Sequence, residues 1–266
     1  MTQAFKYLCI MENNMALGFA LHQKYVELAC AEIAAVVSMG GSVVDGMYIT
    51  DVPYHPSFLR LAFTKAIYDV VPGGSGTRKK MLLADLTKHN RFEQRRAHLL
   101  PAPHPAMTHP RVARAMVNLS NASHEILDPF CGGGGILIEA GLCGLHAVGA
   151  DIDPRMIGRA RTNLQHFGIR DYELRVQDAT TFSGSAEAIV TDLPYGMNTA
   201  VTDELEKLYL AFLMNVKRNR VQKVVVGFPD FVDYAVLVRE AGLHIKNEFT
   251  YYLHRKLSKK ITVIAP

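Results

Sequence analysis

The stretch Leu127-Asp128-Pro129-Phe130-Cys131-Gly132-Gly133-Gly134-Gly135 is an apolar run ending in an acid, then a proline and a glycine turn. Glu125 to Phe130 predicts a strand and Ile136 to Leu142 a helix, so the turn joins a strand to a helix. Glycine suits that junction because the backbone must turn sharply and lie close to a ligand. A phosphate loop would need Gly-Lys-Ser/Thr, and Gly135-Ile136-Leu137 excludes it. A dinucleotide turn would want a third glycine where Leu137 stands, and a pyrophosphate would be repelled by Asp128. An acid there suits a cationic ligand instead. S-adenosylmethionine carries an ammonium and a sulfonium and no phosphate.

Reading outward, Asp151 follows Gly132 by 19 residues and ends a second strand, Ala147 to Asp151. An acid there can accept both ribose hydroxyls. Asp178 follows a third strand, Tyr172 to Gln177, and is placed to meet an adenine amino group. Asp128, Pro129, Phe130, Cys131, Gly132, Gly134, Asp151, Ile152, Asp178 and Ala179 are therefore the expected cofactor residues, joined by Asp192. Asp153 reads as the N-cap of a helix over Pro154 to Phe167, with Pro154 in its first turn. Helices over His109 to Asn118, Asp203 to Val216 and Tyr234 to Ala241 alternate with strands at Ala188 to Asp192 and Lys223 to Phe228. Two strands, His244 to Tyr252 and Lys260 to Ala265, close the chain. Val224-Val225-Val226 suits a strand covered on both faces, and the pattern predicts a doubly wound α/β domain over 101–266.

The first 100 residues read as a small α+β domain. Strands are expected at 5–11 and Val43 to Thr50, and a helix over Gln23 to Ser38 stopped by Gly40-Gly41. A short helix over Ser57 to Ala66, capped by Ser57, and a flexible hinge or loop at Val71 to Gly76 complete the expectation. The 266 residues favour roughly two domains at ~150 residues each. A hydrophobic fraction of 49% with 20% charged residues excludes a disordered chain. The longest apolar segment, Ile136 to Ala150, is broken by Glu139 and His146, which argues against a membrane span. The first residues lack the character of a signal peptide, so a cytoplasmic protein is expected. Cys9, Cys30, Cys131 and Cys143 form no Cys-x-x-Cys pair, and no metal is expected. Net charge is +4, yet Arg78 to Arg96 alone carries seven Lys or Arg against two acids. That stretch reads either as a phosphate-tracking surface or as a solvated basic linker.

Thr191-Asp192-Leu193-Pro194-Tyr195-Gly196 follows the fourth strand. Here the sequence resembles the amino-methylating class I methyltransferases, whose loop reads Asp/Asn-Pro-Pro-Tyr/Phe. Within them it resembles the THUMP-linked tRNA guanine-N2 methyltransferases, in particular the archaeal-type branch that modifies guanosine 10. Three stretches carry the resemblance: His104 to Leu119 as a lead-in helix, Asp128 to Ala140 as the cofactor loop, and His254 to Lys260 as a basic C-terminal hairpin. It is good from about residue 104 onward and faint before. The family's first loop proline is Leu193 here, and Lys256 stands where Ser or Thr is usual. A complete THUMP module with its ferredoxin-like companion would need more than 100 residues, so a shortened RNA-binding region is expected.

The resemblance implies a class I, Rossmann-like fold and S-adenosylmethionine as cofactor. It implies N2-methyl- or N2,N2-dimethylguanosine at position 10 as product, and tRNA as partner, with a small activator subunit as a further partner. Asp192, with a backbone carbonyl of Leu193 or Pro194, would orient the amine, and Tyr195 would stack on a base that is unpaired or flipped out. Arg78, Lys79, Lys80, Arg91, Arg95, Arg96, Arg255, Lys256, Lys259 and Lys260 are the expected RNA contacts. Two other functions stay open: methylation of another exocyclic amine (adenine or cytosine, or a protein glutamine), and a non-catalytic RNA-binding scaffold. Asp192-Leu193 departs from the Asn-Pro-Pro-Tyr usual in glutamine enzymes, and the four retained aspartates weigh against a scaffold.

Overall fold

In the computed structural model, residues 16–73, 76–184, 186–195, 199–254 and 257–266 are described. The chain divides into two units between Arg91 and Phe92. The expected boundary near residue 100 moves because Phe92 is buried in the second unit, its ring under the guanidinium groups of Arg95 and Arg111. The expected strand at 5–11 lies outside the described residues.

The first unit is an antiparallel sheet of order β2-β3-β1-β4-β5 with β1 Ala16–Leu21, β2 Ser42–Val44, β3 Met47–Thr50, β4 Thr64–Gly73 and β5 Gly76–Asp85. Helix α1, Val26–Val37, lies between β1 and β2, and ends at Ser38 in the left-handed region, before the two glycines. The single strand expected over Val43 to Thr50 is a hairpin. Asp45 and Gly46 both take positive φ, 49° and 74°, which is the two-residue turn an Asp-Gly pair favours. The expected loop at Val71 to Gly76 is also a hairpin, with Val71 paired to Arg78 and Gly73 to Gly76.

The helix expected over Ser57 to Ala66 is a 3-10 turn, Pro56–Arg60, whose cap is the His55 ring accepting from the Ser57 N–H. A long-range competitor ends it. Glu32 of α1, fully buried, accepts the amides of Ala62 and Phe63 at 2.7 and 2.9 Å. Those two N–H groups cannot then serve a helix, and the chain enters β4. A short helix, α2 (Leu86–Asn90), capped by Asp85, follows β5.

The second unit holds a seven-stranded sheet of order β11-β12-β10-β9-β6-β7-β8. Its strands are β6 Glu125–Asp128, β7 His146–Asp151, β8 Tyr172–Val176, β9 Ile189–Asp192, β10 Val224–Pro229, β11 His244–His254 and β12 Leu257–Ala265. All pair in parallel except β12, which is antiparallel to both β10 and β11. Helix α3, Pro110–Leu119, leads into β6, and α4 Gly135–Leu142, α5 Pro154–His166, α6 Thr199–Arg218 and α7 Tyr234–Glu240 follow β6, β7, β9 and β10. Asp153 caps α5 as expected, accepting from the Arg155 N–H at 2.8 Å. Tyr209 and Phe212 of α6 pack with Val224, Val226 and Phe228 of β10 in the core. The strand order reverses between β6 and β9, and a ligand site is expected at the carboxyl ends there. No described helix is long and apolar enough to cross a membrane.

Candidate active site

A cavity of about 450 Å³ opens at that reversal. The turn after β6 forms its floor. Gly132 and Gly134 take φ of 50° and 86°, and open space lies where a Gly132 side chain would stand, so bare backbone faces the cavity. Gly134, expected in the cofactor site, does not line the cavity. It caps α4, and a side chain there would press on Ala160 of α5, so its role is the close crossing of two helices. The other expected cofactor residues, Asp128, Pro129, Phe130, Cys131, Gly132, Asp151, Ile152, Asp178, Ala179 and Asp192, all line it.

Each strand-end acid is held by its own neighbours. Asp151 accepts the Gly132 amide on Oδ2 and the Asp153 amide on Oδ1, both at 2.9 Å, which locks the glycine turn to the end of β7. Asp178 accepts the Thr180 amide and hydroxyl on one oxygen, both at 2.8 Å. Asp128 is buried and accepts the Thr191 hydroxyl at 2.6 Å and the Phe130 amide at 3.2 Å. Burial pushes its carboxyl up to about 7 against the help of those bonds, and the charges of Asp192 and Asp151 push in the same direction. Cys131 on the same wall is raised by burial too, so it stays a thiol rather than a nucleophile.

The loop after β9 forms the opposite wall: Asp192, Leu193, Pro194 and Tyr195 all line the cavity. Gly196 lies outside the described residues. The Tyr209 hydroxyl donates to the Pro194 carbonyl, which ties the loop to α6. Tyr195 is pushed up to about 12 by burial and by the Asp192 charge, so its hydroxyl stays neutral near pH 7.

Two residues bonded to this wall carry roles that the sequence did not suggest. Thr108, just before α3, donates its hydroxyl to Asp192 Oδ2, and so does the Lys259 ammonium from β12. Lys259 also reaches the Thr108 hydroxyl at 3.3 Å and stands 6.0 Å from the centre of the Tyr195 ring. Asp192 Oδ1 is buried and has no hydrogen-bond partner among the described residues. His104 and Met107, from the same lead-in segment as Thr108, line the cavity as well.

The expected RNA contacts scatter. Lys259 is 2% exposed, and its ammonium is turned to Asp192 of the cavity wall rather than to solvent. Arg95 is a second correction: its Nε and Nη2 bind the buried Glu139 at 2.6 and 3.1 Å, and Arg114 binds the same carboxylate at 2.8 Å. Lys79 and Lys80 are exposed on β5, with Lys79 4.4 Å from the Tyr68 ring centre, and Arg78 lies on the same strand. Arg91 is exposed at the end of α2, while Arg96 pairs loosely with Glu93 at 3.4 Å. Lys260 pairs with Glu248 at 3.0 Å. Arg255 and Lys256 lie outside the described residues. The seven basic residues of Arg78 to Arg96 thus fall in both units. No cluster of three or more metal-ligating side chains occurs among the described residues.

Residues 98–259 match the family of RMKL-like methyltransferase domains. The chain is 43% identical over 189 residues to the tRNA (guanine(10)-N2)-dimethyltransferase of Methanothermobacter thermautotrophicus, covering 68% of this chain and 56% of that protein. It is 39% identical over 173 residues to the Pyrococcus abyssi protein of the same name, covering 63% and 53%. The chain thus spans about half the length of the curated relatives it matches. Among solved structures, TrmN from Thermus thermophilus is similar in fold, with a TM-score of 0.58 at 16% identity over 94% of this chain and 99% of that one. The reversed strand order, the strand-end aspartates and the sequence match agree: the chain belongs to the RMKL-like methyltransferase-domain family, on a class I Rossmann-like fold.

Proposed function

We propose that this chain is an S-adenosylmethionine-dependent methyltransferase acting on the exocyclic N2 of guanine in tRNA, at position 10. One observation carries the reading: the Asp192-Leu193-Pro194-Tyr195 loop opens onto the same cavity as Asp128, Asp151 and Asp178. The names of the archaeal relatives supply the nucleotide and its position.

The residues fit the cofactor. Asp128, a buried acid short of a cation, suits the ammonium end. Asp151 at the end of β7 suits the ribose hydroxyls, and Ile152, 71% exposed, offers an apolar face to adenine beside Asp178. When bound, S-adenosylmethionine supplies a methyl group activated on sulfonium.

The chain's own task is orientation. The guanine amine is a weak nucleophile because its lone pair is delocalised into the ring. Asp192 accepts one of its N–H groups. A backbone carbonyl of Leu193 or Pro194 takes the second, that of Pro194 already accepting from the Tyr209 hydroxyl. Tyr195 stacks on the base, worth ~1–3 kcal/mol by analogy with single-strand binders. So held, the amine would present its lone pair to the activated methyl, and its surplus proton would pass to water. Alignment of this kind supplies most of the acceleration, up to ~7–11 kcal/mol.

The test is transfer of labelled methyl to bulk tRNA, followed by digestion to nucleosides. Label in N2-methylguanosine or N2,N2-dimethylguanosine is expected. Label in a methylated adenosine or cytidine overturns the guanine reading and leaves amino methylation standing.

A further inference from the structure

Lys259 sits on the strand that the sequence marks as basic, yet it is 2% exposed, and its ammonium binds Asp192 Oδ2. We propose that Lys259 is a positioning residue of the transfer site rather than an RNA contact: together with Thr108 it fixes the orientation of the Asp192 carboxylate. This rests on the proposed function, in which Asp192 orients the substrate amine.

Three observations support it. A carboxylate taken from water needs donors or a cation, and both donors to Asp192 come from outside its own loop, one from the segment before α3 and one from β12. Both reach the same oxygen, while Oδ1 lies against the backbone of Gly227 on β10, with no room for a side chain between them. Tilting the carboxylate out of this position would therefore break both bonds. The Lys259 and Thr108 donors also contact each other at 3.3 Å, so three groups form one closed set. At 2% exposure the ammonium offers a phosphate almost no surface.

The neighbouring positions sharpen the point. Lys259 pairs in register with Pro229 of β10 and Tyr251 of β11, in the interior of the sheet rather than at its edge. Lys260, one residue on, emerges on the other face and binds Glu248. Alternation along β12 gives the two lysines different roles.

The experiment compares Lys259→Met, Lys259→Arg and Thr108→Val with the wild-type chain in labelled-methyl transfer to bulk tRNA. Filter binding gives tRNA affinity and its salt slope, and titration with S-adenosylhomocysteine reports an intact cofactor site. Lys259→Met is expected to lower kcat about 10²-fold, as a misplaced orienting group does, with tRNA affinity and salt slope unchanged. Lys259→Arg is expected to recover part of kcat. A flattened salt slope with kcat unchanged in Lys259→Met overturns the proposal. If the wild-type chain transfers nothing to tRNA, the proposed function fails on its own, and amine acylation read by mass spectrometry decides Lys259. Protection in the wild type and labelling in Asp192→Asn support the pairing. Labelling of wild-type Lys259 as fast as Lys79 overturns it.

Discussion

Gly227 stands beside Asp192 in the parallel pairing of β10 with β9, and a methyl group on Gly227 would come 2.5 Å from Asp192 Oδ1. The bare backbone of one strand is thus the seat of the other strand's carboxylate. Gly227→Ala is expected to push Asp192 off its position and lower kcat about 10²-fold, with S-adenosylhomocysteine affinity unchanged. Wild-type turnover in that variant would show that the carboxylate tolerates displacement.

Asp192→Ala is expected to abolish transfer and to leave cofactor affinity nearly intact. It also strands Lys259, a buried ammonium, so the fold should lose about 3–5 kcal/mol. Asp192→Asn, which keeps an oxygen near the lysine, should lose less. Activity is read by methyl transfer and stability by denaturant unfolding. Equal stability of the two variants would contradict the buried pair.

Asp151→Ala removes an acceptor that holds the Gly132 and Asp153 amides as well as the proposed ribose ligand. Calorimetric titration with S-adenosylhomocysteine is expected to show binding weaker by about 1.5–3 kcal/mol. An unchanged titration removes the ribose assignment.

Burial holds Asp128 protonated up to about pH 7 in the folded chain, against about 3.9 when unfolded. The raised value means that the native state binds the extra proton. Its stabilising contribution is complete below about pH 4 and is lost as pH rises through about 7. A cationic ligand favours the ionised form, so S-adenosylmethionine affinity should rise across the same window and binding should release a proton. Both trends should vanish in Asp128→Asn, measured by thermal unfolding and by titration in buffers of different ionisation enthalpy.

Binding to tRNA is expected to weaken steeply with salt. Replacing exposed Lys79, Lys80 and Arg96 with glutamine should make the log–log slope shallower by about 2–3. Arg95→Gln should leave the slope alone and lower stability by about 1–3 kcal/mol, since Glu139 loses two of its bonds. A changed slope in Arg95→Gln would return it to the RNA contacts.

The class of fold and most of the cavity were legible along the chain because their signals are local. A strand, an acid and a glycine turn lie within nine residues, and Asp151 and Asp178 recur at the ends of the next strands. The Asp45-Gly46 turn was equally local, but one apolar run across Val43 to Thr50 hid it. What the tertiary structure alone decided is where the charges go. Lys259 and Asp192 are 67 residues apart, Thr108 and Asp192 84, and Arg95 and Glu139 44. A lysine in a basic run reads as a solvated cation until the fold buries it, because burial depends on which distant strand lies alongside. In the same way Glu32 ended a helix 30 residues downstream by taking its amides, a competition that no local propensity records. Local pattern sets the elements and the turn; long-range packing sets which charged groups lose their water, and a group without water must find its partner in the protein.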